Sequence, residues 1–378
     1  MNIYKNYLCD NVLKFWLDNA IDDVNGGIFT QLDEKGKIYG REKSVWFQGR
    51  ALWSFSKAYN AIDARPEYLE AATKIYNFLH KCADTDGRMF FTVTEDGRGI
   101  QKRRYYFSET FAAIGCCEYY IATGDKRAWE WAEHYFDIAY AIFNDPSLTT
   151  PKNNPETAPF KSLSPVMIML ATAQTMRQVD TLKYDPIAKA MAKEVIEGGY
   201  LTEDALLEHV YADGTPAFDT PTGRIVNPGH DLEAAWFLMT EAVYQNDEEM
   251  KNIALKITDF SMKRGLVDGG IIAFCDVLGN PPVQLEWDMK LWWPQCEAMI
   301  ANKFAYNLTK DEKYQKAFND LWNYTEENFA DKENGEWYGY LHYDNTVANT
   351  LKGNIFKGPF HLPRLLMWLA ADYEGKLL

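Results

Sequence analysis

The chain has 378 residues, 47% hydrophobic and 15% aromatic, with a formal net charge of −15 at pH 7. That is enough apolar material for a sizeable core, and the acidic balance excludes nucleic acid and anionic membranes as expected partners, since no basic patch offsets it. The six cysteines show no CxxC and no framework spacing, so they read as free thiols of a reducing compartment. Residues 1–16 have no apolar leader pattern and no run of about 18 apolar residues occurs, so a cytoplasmic protein without a membrane span is expected.

Apolar spacing predicts twelve helices, over 2–20, 45–62, 66–83, 107–123, 125–143, 163–180, 183–198, 231–246, 249–264, 290–308, 311–328 and 360–374. In the eleventh, Tyr314, Ala317, Phe318, Leu321 and Trp322 follow i, i+3, i+4, i+7, i+8. Thr309 and Glu312 before it read as a capping box. Pro66 sits in the first turn of the third, where its missing N–H costs nothing. Connections after even-numbered helices are short (63–65, 124, 247–248), and those after odd ones are mostly long (25–44, 85–106, 201–230, 268–289, 333–359). GGIFTQLDEKGKIYG (26–40) and MFFTVTEDGRGIQKRRYY (89–106) read as hairpins with Lys-Gly and Asp-Gly turns. The connection 144–162 is the exception, with proline and asparagine but little strand pattern.

This is a helix pair of about 60 residues repeated six times, and a repeat that cannot bury its apolar face alone must stack on neighbours. The expected fold is all-α: an (α/α)6 barrel, with 1–378 as a single catalytic domain and the long loops at one end. An open solenoid uses the same hairpins. Arg50, Tyr106, His230, Glu297 and His361 all lie near the start of an even helix or in the loop before it, so a barrel brings them to one mouth.

QLEWDMKLWWPQCEA (284–298) packs Trp287, Trp292 and Trp293 among Glu286, Asp288, Lys290 and Glu297. A buried helix would not carry so many charges and a solvated one would not carry so many indoles. Aromatic faces mixed with hydrogen-bonding charges suit a sugar. Of the six histidines, His80 and His134 lie mid-helix and read as structural, while His209 and His342 lie in loops without a motif. His230 and His361 each end a turn with glycine and proline and open an even helix. Two histidines in equivalent repeat positions point to chemistry, although a lone one there is more often a cap.

The 284–298 stretch closely resembles the N-acylglucosamine 2-epimerases, whose relatives include the cellobiose 2-epimerases. SVWFQGR (44–50), NPGHDLEAAW (227–236) and FKGPFHLPR (356–364) agree, in the family's order. The resemblance implies an (α/α)6 barrel and interconversion of N-acetylglucosamine and N-acetylmannosamine. It assigns His230 and His361 as the acid/base pair acting on opposite faces of C2. Imidazole suits both roles, because its neutral and protonated forms coexist near neutrality. It matches Arg50 to the essential arginine, a fixed cation for negative charge on O1. Glu233 is matched to a carboxylate that would orient His230 or Arg50, Trp236 to a sugar-contacting tryptophan, and Trp293 and Glu297 to their counterparts in the opening stretch. Tyr106 is a further pocket candidate. No metal is expected and no cofactor is required for the chemistry. The resemblance implies activation by ATP or another nucleotide, although no residue marks such a site and no P-loop occurs. A homodimer is the assembly expected.

One position departs from the relatives that act on disaccharides or isomerise aldoses. Their N-x-x-M-H-type motif is replaced here by Ser164-Pro165-Val166-Met167-Ile168-Met169, with Ile168 where the histidine would stand. That puts those activities in doubt and leaves an apolar wall that could receive an acetamido methyl. Two other readings stay open. A glycoside hydrolase would need two carboxylates flanking a glycosidic bond. A sugar- or protein-binding module would need no catalysis.

Overall fold

Each apolar periodicity becomes a helix among residues 2–103, 105–151 and 153–375, which the computed structural model describes. The first, α1, runs through Ile3–Tyr7, a π-helical turn Leu8–Val12 and Leu13–Asn19. Then follow α2 (Val45–Ala61), α3 (Pro66–Leu79), α4 (Phe107–Thr123), α5 (Lys126–Asn144), α6 (Leu163–Met176) and α7 (Thr181–Glu197). The last five are α8 (Pro228–Gln245), α9 (Glu248–Gly265), α10 (Trp292–Thr309), α11 (Glu312–Asn328) and α12 (His361–Tyr373).

The even helices form a closed ring. Helix α2 packs on α4, α4 on α6, α6 on α8, α8 on α10, α10 on α12, and α12 returns to α2. Closure removes the open solenoid. Each odd helix lies outside: α3 on α2, α5 on α4, α7 on α6, α9 on α8, α11 on α10, and α1 on α12. The sixth pair is therefore made from opposite ends of the chain, and Asn2 Nδ2 donates to Ala370 O at 2.9 Å across it. Burial follows position. Helix α11 buries one stripe (Tyr314, Phe318, Leu321, Tyr324), while α12 is buried on all sides from His361 to Ala371. Two glycines let α2 and α4 touch. A Cβ on Gly49 would meet the Phe111 carbonyl at 2.6 Å, and one on Gly115 would meet Gly49 O at 2.7 Å.

The long loops all precede even helices and are sewn together by short antiparallel strands. Lys43–Ser44 pairs with Thr92–Val93, Ile225–Val226 with Cys275–Asp276, and Lys290–Leu291 with Tyr340–Leu341. Each pairing joins the segment before one even helix to the next long loop, and a Leu32–Gly353 bridge ties the last loop to the first. The two predicted hairpins form, pairing Gln31–Leu32 with Ile38–Gly40 and Thr92–Val93 with Gly99–Gln101. The repeat also shows in hydrogen bonds. Gln48 clamps both backbone groups of Ile28 at 2.8 Å, and Gln295 does the same to Ile271 at 2.8 Å.

Three local expectations change. Helix α10 continues to Thr309 and ends with Lys310 in the left-handed region (φ 59°), so Asp311 takes the α11 cap by accepting from Lys313 N at 3.0 Å. Thr309 Oγ1 instead donates to Ala305 O at 2.7 Å, so the capping box is absent. Helix α8 starts at Pro228, which puts His230 inside its first turn. The connection 144–162 ends in a strand, Phe160–Ser162, whose partner His209–Tyr211 lies far along the chain and leaves no local signal.

Candidate active site

A cavity of about 1120 Å³ opens among the long loops, with His230, Glu233, Trp236, Trp293, His361, Arg364 and Arg50 in its walls. The loops end in glycine turns because side chains fill the space a Cβ would need. At Gly229 it would meet Trp293 Cζ3 at 2.6 Å, and at Gly358 it would meet Phe47 Cε2 at 2.2 Å. The NPGH turn thus seats the Trp293 indole beside His230, and the KGPFH turn packs Gly358 on the Phe47 ring.

His230 lies in the first turn of α8, where the Asn227 side chain accepts its backbone N–H at 3.2 Å. Its Nδ1 is 2.5 Å from Glu208 Oε1, and Glu208 is buried. A carboxylate only accepts, so Nδ1 carries the proton and Nε2 is left for a substrate. Burial pulls the imidazole down, but Glu208, with Glu233 and Asp231 behind it, pushes it up to about 9. His230 is therefore a cation at neutral pH.

His361 opens α12 and is the opposite case. Glu297 Oε1 stands 2.8 Å from its Nδ1, which fixes the proton there and frees Nε2 as a lone pair. Burial, then the Arg364 and Arg50 cations, hold its pKa well below the usual 6.5, and Glu233 does not compensate. His361 is therefore neutral. Two equivalent positions hold one acid and one base, because carboxylates outweigh burial at His230, while burial and two guanidinium groups outweigh the carboxylates at His361.

Trp293 lies against both. Its ring centroid is 5.1 Å from that of His230 and 5.7 Å from that of His361, tilted by 40° and 41°. Arg50 lies on aromatic faces, its guanidinium carbon 4.1 Å from the Phe111 centroid and 5.0 Å from Phe360. Its Nη1 reaches Phe356 O only at 3.5 Å, and its buried Nε has no partner. Burial lowers it to about 9, with Glu233 opposing and Arg364 assisting, so it stays cationic at neutral pH. An arginine held by rings rather than by a carboxylate keeps its donors for an oxyanion.

Six of the eight anticipated residues line this cavity, and Glu297 stands behind His361 as its buried carboxylate. Its Oε2 also accepts from Trp236 Nε1 at 2.8 Å. Two expectations are corrected. Tyr106 is buried next to Phe107 and does not line the cavity, because α4 turns Phe107 and Phe111 inward instead. Glu233 orients neither His230 nor Arg50. It accepts from Arg364 Nη2, which also stands 2.7 Å from Glu297 Oε1. Glu208, not Glu233, holds His230.

Arg364 and Glu208 escaped the sequence reading. Arg364 had a signal: it follows His361 by three residues and so shares its helix face. Glu208 had none, since its loop meets α8 only in the fold. Ligand atoms of Glu233, Glu297 and His361 lie within 4.8 Å of one another, a spacing that could hold a metal ion. The Arg364 guanidinium already bonds both carboxylates, so their charge is matched by protein.

Among the described residues, no helix is long and apolar enough to cross a membrane. The family model described as N-acylglucosamine 2-epimerase (GlcNAc 2-epimerase) matches residues 27–357. The N-acylglucosamine 2-epimerase of Bos taurus is 36% identical over 373 residues, covering 94% of this chain and 87% of that protein. The cellobiose 2-epimerase of Dictyoglomus turgidum is 27% identical over 392 residues, covering 96% of this chain and 95% of that one. The structure of cellobiose 2-epimerase from Bacillus thermoamylovorans shares the barrel at a TM-score of 0.86, with 22% identity and 97% of each chain covered. With this likeness over nearly its whole length, the chain belongs to the N-acylglucosamine 2-epimerase family.

Proposed function

We propose that the protein is an isomerase interconverting N-acetyl-D-glucosamine and N-acetyl-D-mannosamine by proton transfer at C2. The observation that carries the mechanism is the pair of histidines in one cavity beside Trp293, each with its Nδ1 on a buried carboxylate and its Nε2 left for the substrate. In the open-chain sugar the C1 aldehyde acidifies the C2 proton. His361 Nε2 removes it from one face, and the electron pair moves into C1–C2 as negative charge builds on O1. Arg50 stabilises that charge. His230 Nε2–H then delivers a proton to the other face of C2 as the carbonyl re-forms.

Glu297 and Glu208 fix the tautomers, while Arg364 ties Glu297 to Glu233 and keeps His361 neutral. A glycosidase reading fails on the same geometry, because Glu233 and Glu297 are both engaged by Arg364 and neither is free as a proton donor. Ile168 in the cavity wall supports an acetamido substrate over the disaccharide named for the more distant relatives. The same reading places the protein in amino-sugar metabolism as a cytoplasmic homodimer. Its chemistry needs no cofactor, and ATP or another nucleotide serves only as an activator; sedimentation and initial rates with and without ATP test both points.

Proton NMR of N-acetylmannosamine in D2O with the enzyme tests the main reading. The expected result is N-acetylglucosamine with deuterium at C2; absence of both overturns it.

A further inference from the structure

The cavity does not end at the histidines. On α2 it is lined by Trp46, Arg50, Trp53 and Lys57, and on α4 by Phe107, Phe111, Ile114 and Glu118. Both sets follow i, i+4, i+7, i+11, one continuous stripe along each helix. At about 1.5 Å per residue, the stripe from Arg50 to Lys57 continues roughly 10 Å beyond the catalytic level. Ala171 of α6 and Phe237 of α8 complete the wall of this stretch. Trp53, Ile114, Ala171 and Phe237 give this stretch an apolar surface, broken by Thr172, Gln174, Thr175 and Thr240. At its far end the lining turns polar again, where Lys57 Nζ donates to Glu118 Oε1 at 3.1 Å and to Gln178 Oε1 at 3.3 Å. The cavity's 1120 Å³ equals about 37 waters at roughly 30 Å³ each. A single acetylated hexose leaves most of that depth unused.

The C2 substituent must enter this shaft or avoid it. The C2 nitrogen is bonded directly to the reacting carbon, so an N-acyl chain starts at the level of the histidine pair. The hydroxyl-bearing carbons C3 to C6 favour the polar, open mouth. An alkyl chain favours the apolar wall below, because burying each methylene releases apolar surface from water.

We infer that the barrel axis is an acyl shaft, and that the enzyme epimerises hexosamines whose N-acyl chains are several carbons longer than acetyl. Trp53, Ile114, Ala171 and Phe237 grip the chain, and the Lys57–Glu118 pair stands at the far end of the shaft. This rests on the epimerase reading, and the test separates the two. N-acetyl-, N-butanoyl- and N-hexanoylmannosamine are each incubated with wild type, Ala171→Phe and Ile114→Trp, and epimerisation is followed by NMR. For wild type, KM falls by about two- to fourfold per buried methylene, and kcat stays within about tenfold. The plugged variants keep N-acetyl turnover and lose N-hexanoyl turnover by about a hundredfold or more. A wild type whose KM does not fall from acetyl to hexanoyl overturns the shaft. So do variants that process both substrates like wild type. If the variants lose N-acetyl turnover too, the wild-type series decides alone. A wild type inactive on N-acetylmannosamine overturns the epimerase reading instead.

Discussion

His230 and His361 flank one indole, at 5.1 and 5.7 Å from the Trp293 ring, yet His230 is held as a cation and His361 as a neutral base. The difference comes from their partners. Glu208, with Glu233 and Asp231 behind it, charges His230, whereas burial and the Arg364 and Arg50 cations keep His361 neutral although Glu297 bonds its Nδ1.

That split predicts the pH profile. Activity requires neutral His361 and protonated His230, so the acid limb lies well below pH 6.5 and the alkaline limb near pH 9. In Glu208→Gln, burial acts on His230 without its counter-charge, and the alkaline limb moves to lower pH. At pH 8 the loss should be about tenfold or more, shrinking as the pH falls. A pH–rate series on both proteins checks this; an alkaline limb that does not move would falsify the assignment of His230 as the resting acid.

Arg50 is the second test. Its guanidinium rests on Phe111 and Phe360, an arrangement that needs a flat cation. Arg50→Gln should lose about 10²–10³ in kcat, the size expected for one oxyanion donor. Arg50→Lys should recover only part, because an ammonium neither stacks nor forks. Unchanged thermal melting would separate catalysis from folding. A Gln variant within threefold of wild type would mean that O1 is stabilised elsewhere.

The turn that carries His361 depends on buried charge. Lys357 is fully buried and bonded to Glu336, and it donates to Lys352 O at 3.0 Å. Removing one partner of a buried pair strands the other, at a cost of about 3–5 kcal/mol. Lys357→Met should destabilise by about that much in urea titration, while Lys14→Met, at an exposed pair, should cost under about 1 kcal/mol. Equal effects would show that Glu336 finds water when its partner is gone.

Much of this was legible in the chain. Helical periodicity placed the twelve helices within a few residues, and the alternation of short and long links placed the mouth. Both are local patterns that burial imposes on sequence. His230, His361 and Arg50 stood out because repeats align them at helix starts. What stayed hidden depends on contacts between distant segments. Glu208 lies in a long loop where its backbone N–H donates to Ile225 O at 3.2 Å, and its carboxylate meets His230 from 22 residues away. The misassigned Glu233 lies on the same helix face as His230, so spacing alone favours that contact; Arg364 from α12 takes the carboxylate instead. Tyr106 precedes α4 by one residue, too near its start for periodicity to say which way the ring turns.

Glu233, Glu297 and His361 also predict an insensitivity. Arg364 supplies the positive charge between the two carboxylates, so dialysis against EDTA should leave the epimerisation rate unchanged. Arg364→Met should raise the His361 pKa and move the acid limb to higher pH, because Arg364 is the foremost charge holding it down. Activity lost to EDTA and restored by a divalent ion would mean that a metal displaces the guanidinium in solution.

The two histidines give the sharpest test. A two-base epimerisation uses both, and removing a general base costs about 10²–10⁴-fold. Both His230→Ala and His361→Ala should therefore nearly abolish interconversion. They should differ in what survives. His230→Ala keeps His361, already neutral, and should still exchange the C2 proton of one epimer with D2O at pH 7. His361→Ala keeps His230, which Glu208 holds protonated, so exchange of the other epimer should emerge only as the pH approaches about 9. Deuterium incorporation followed by NMR on each epimer, across pH, reads both effects. Circular dichroism should show both variants folded, since each histidine side chain borders the cavity. If either variant interconverts the sugars at near wild-type rate, one imidazole serves both faces and Glu297 becomes the next candidate base. If both exchange the same epimer, the histidines do not stand on opposite sides of C2.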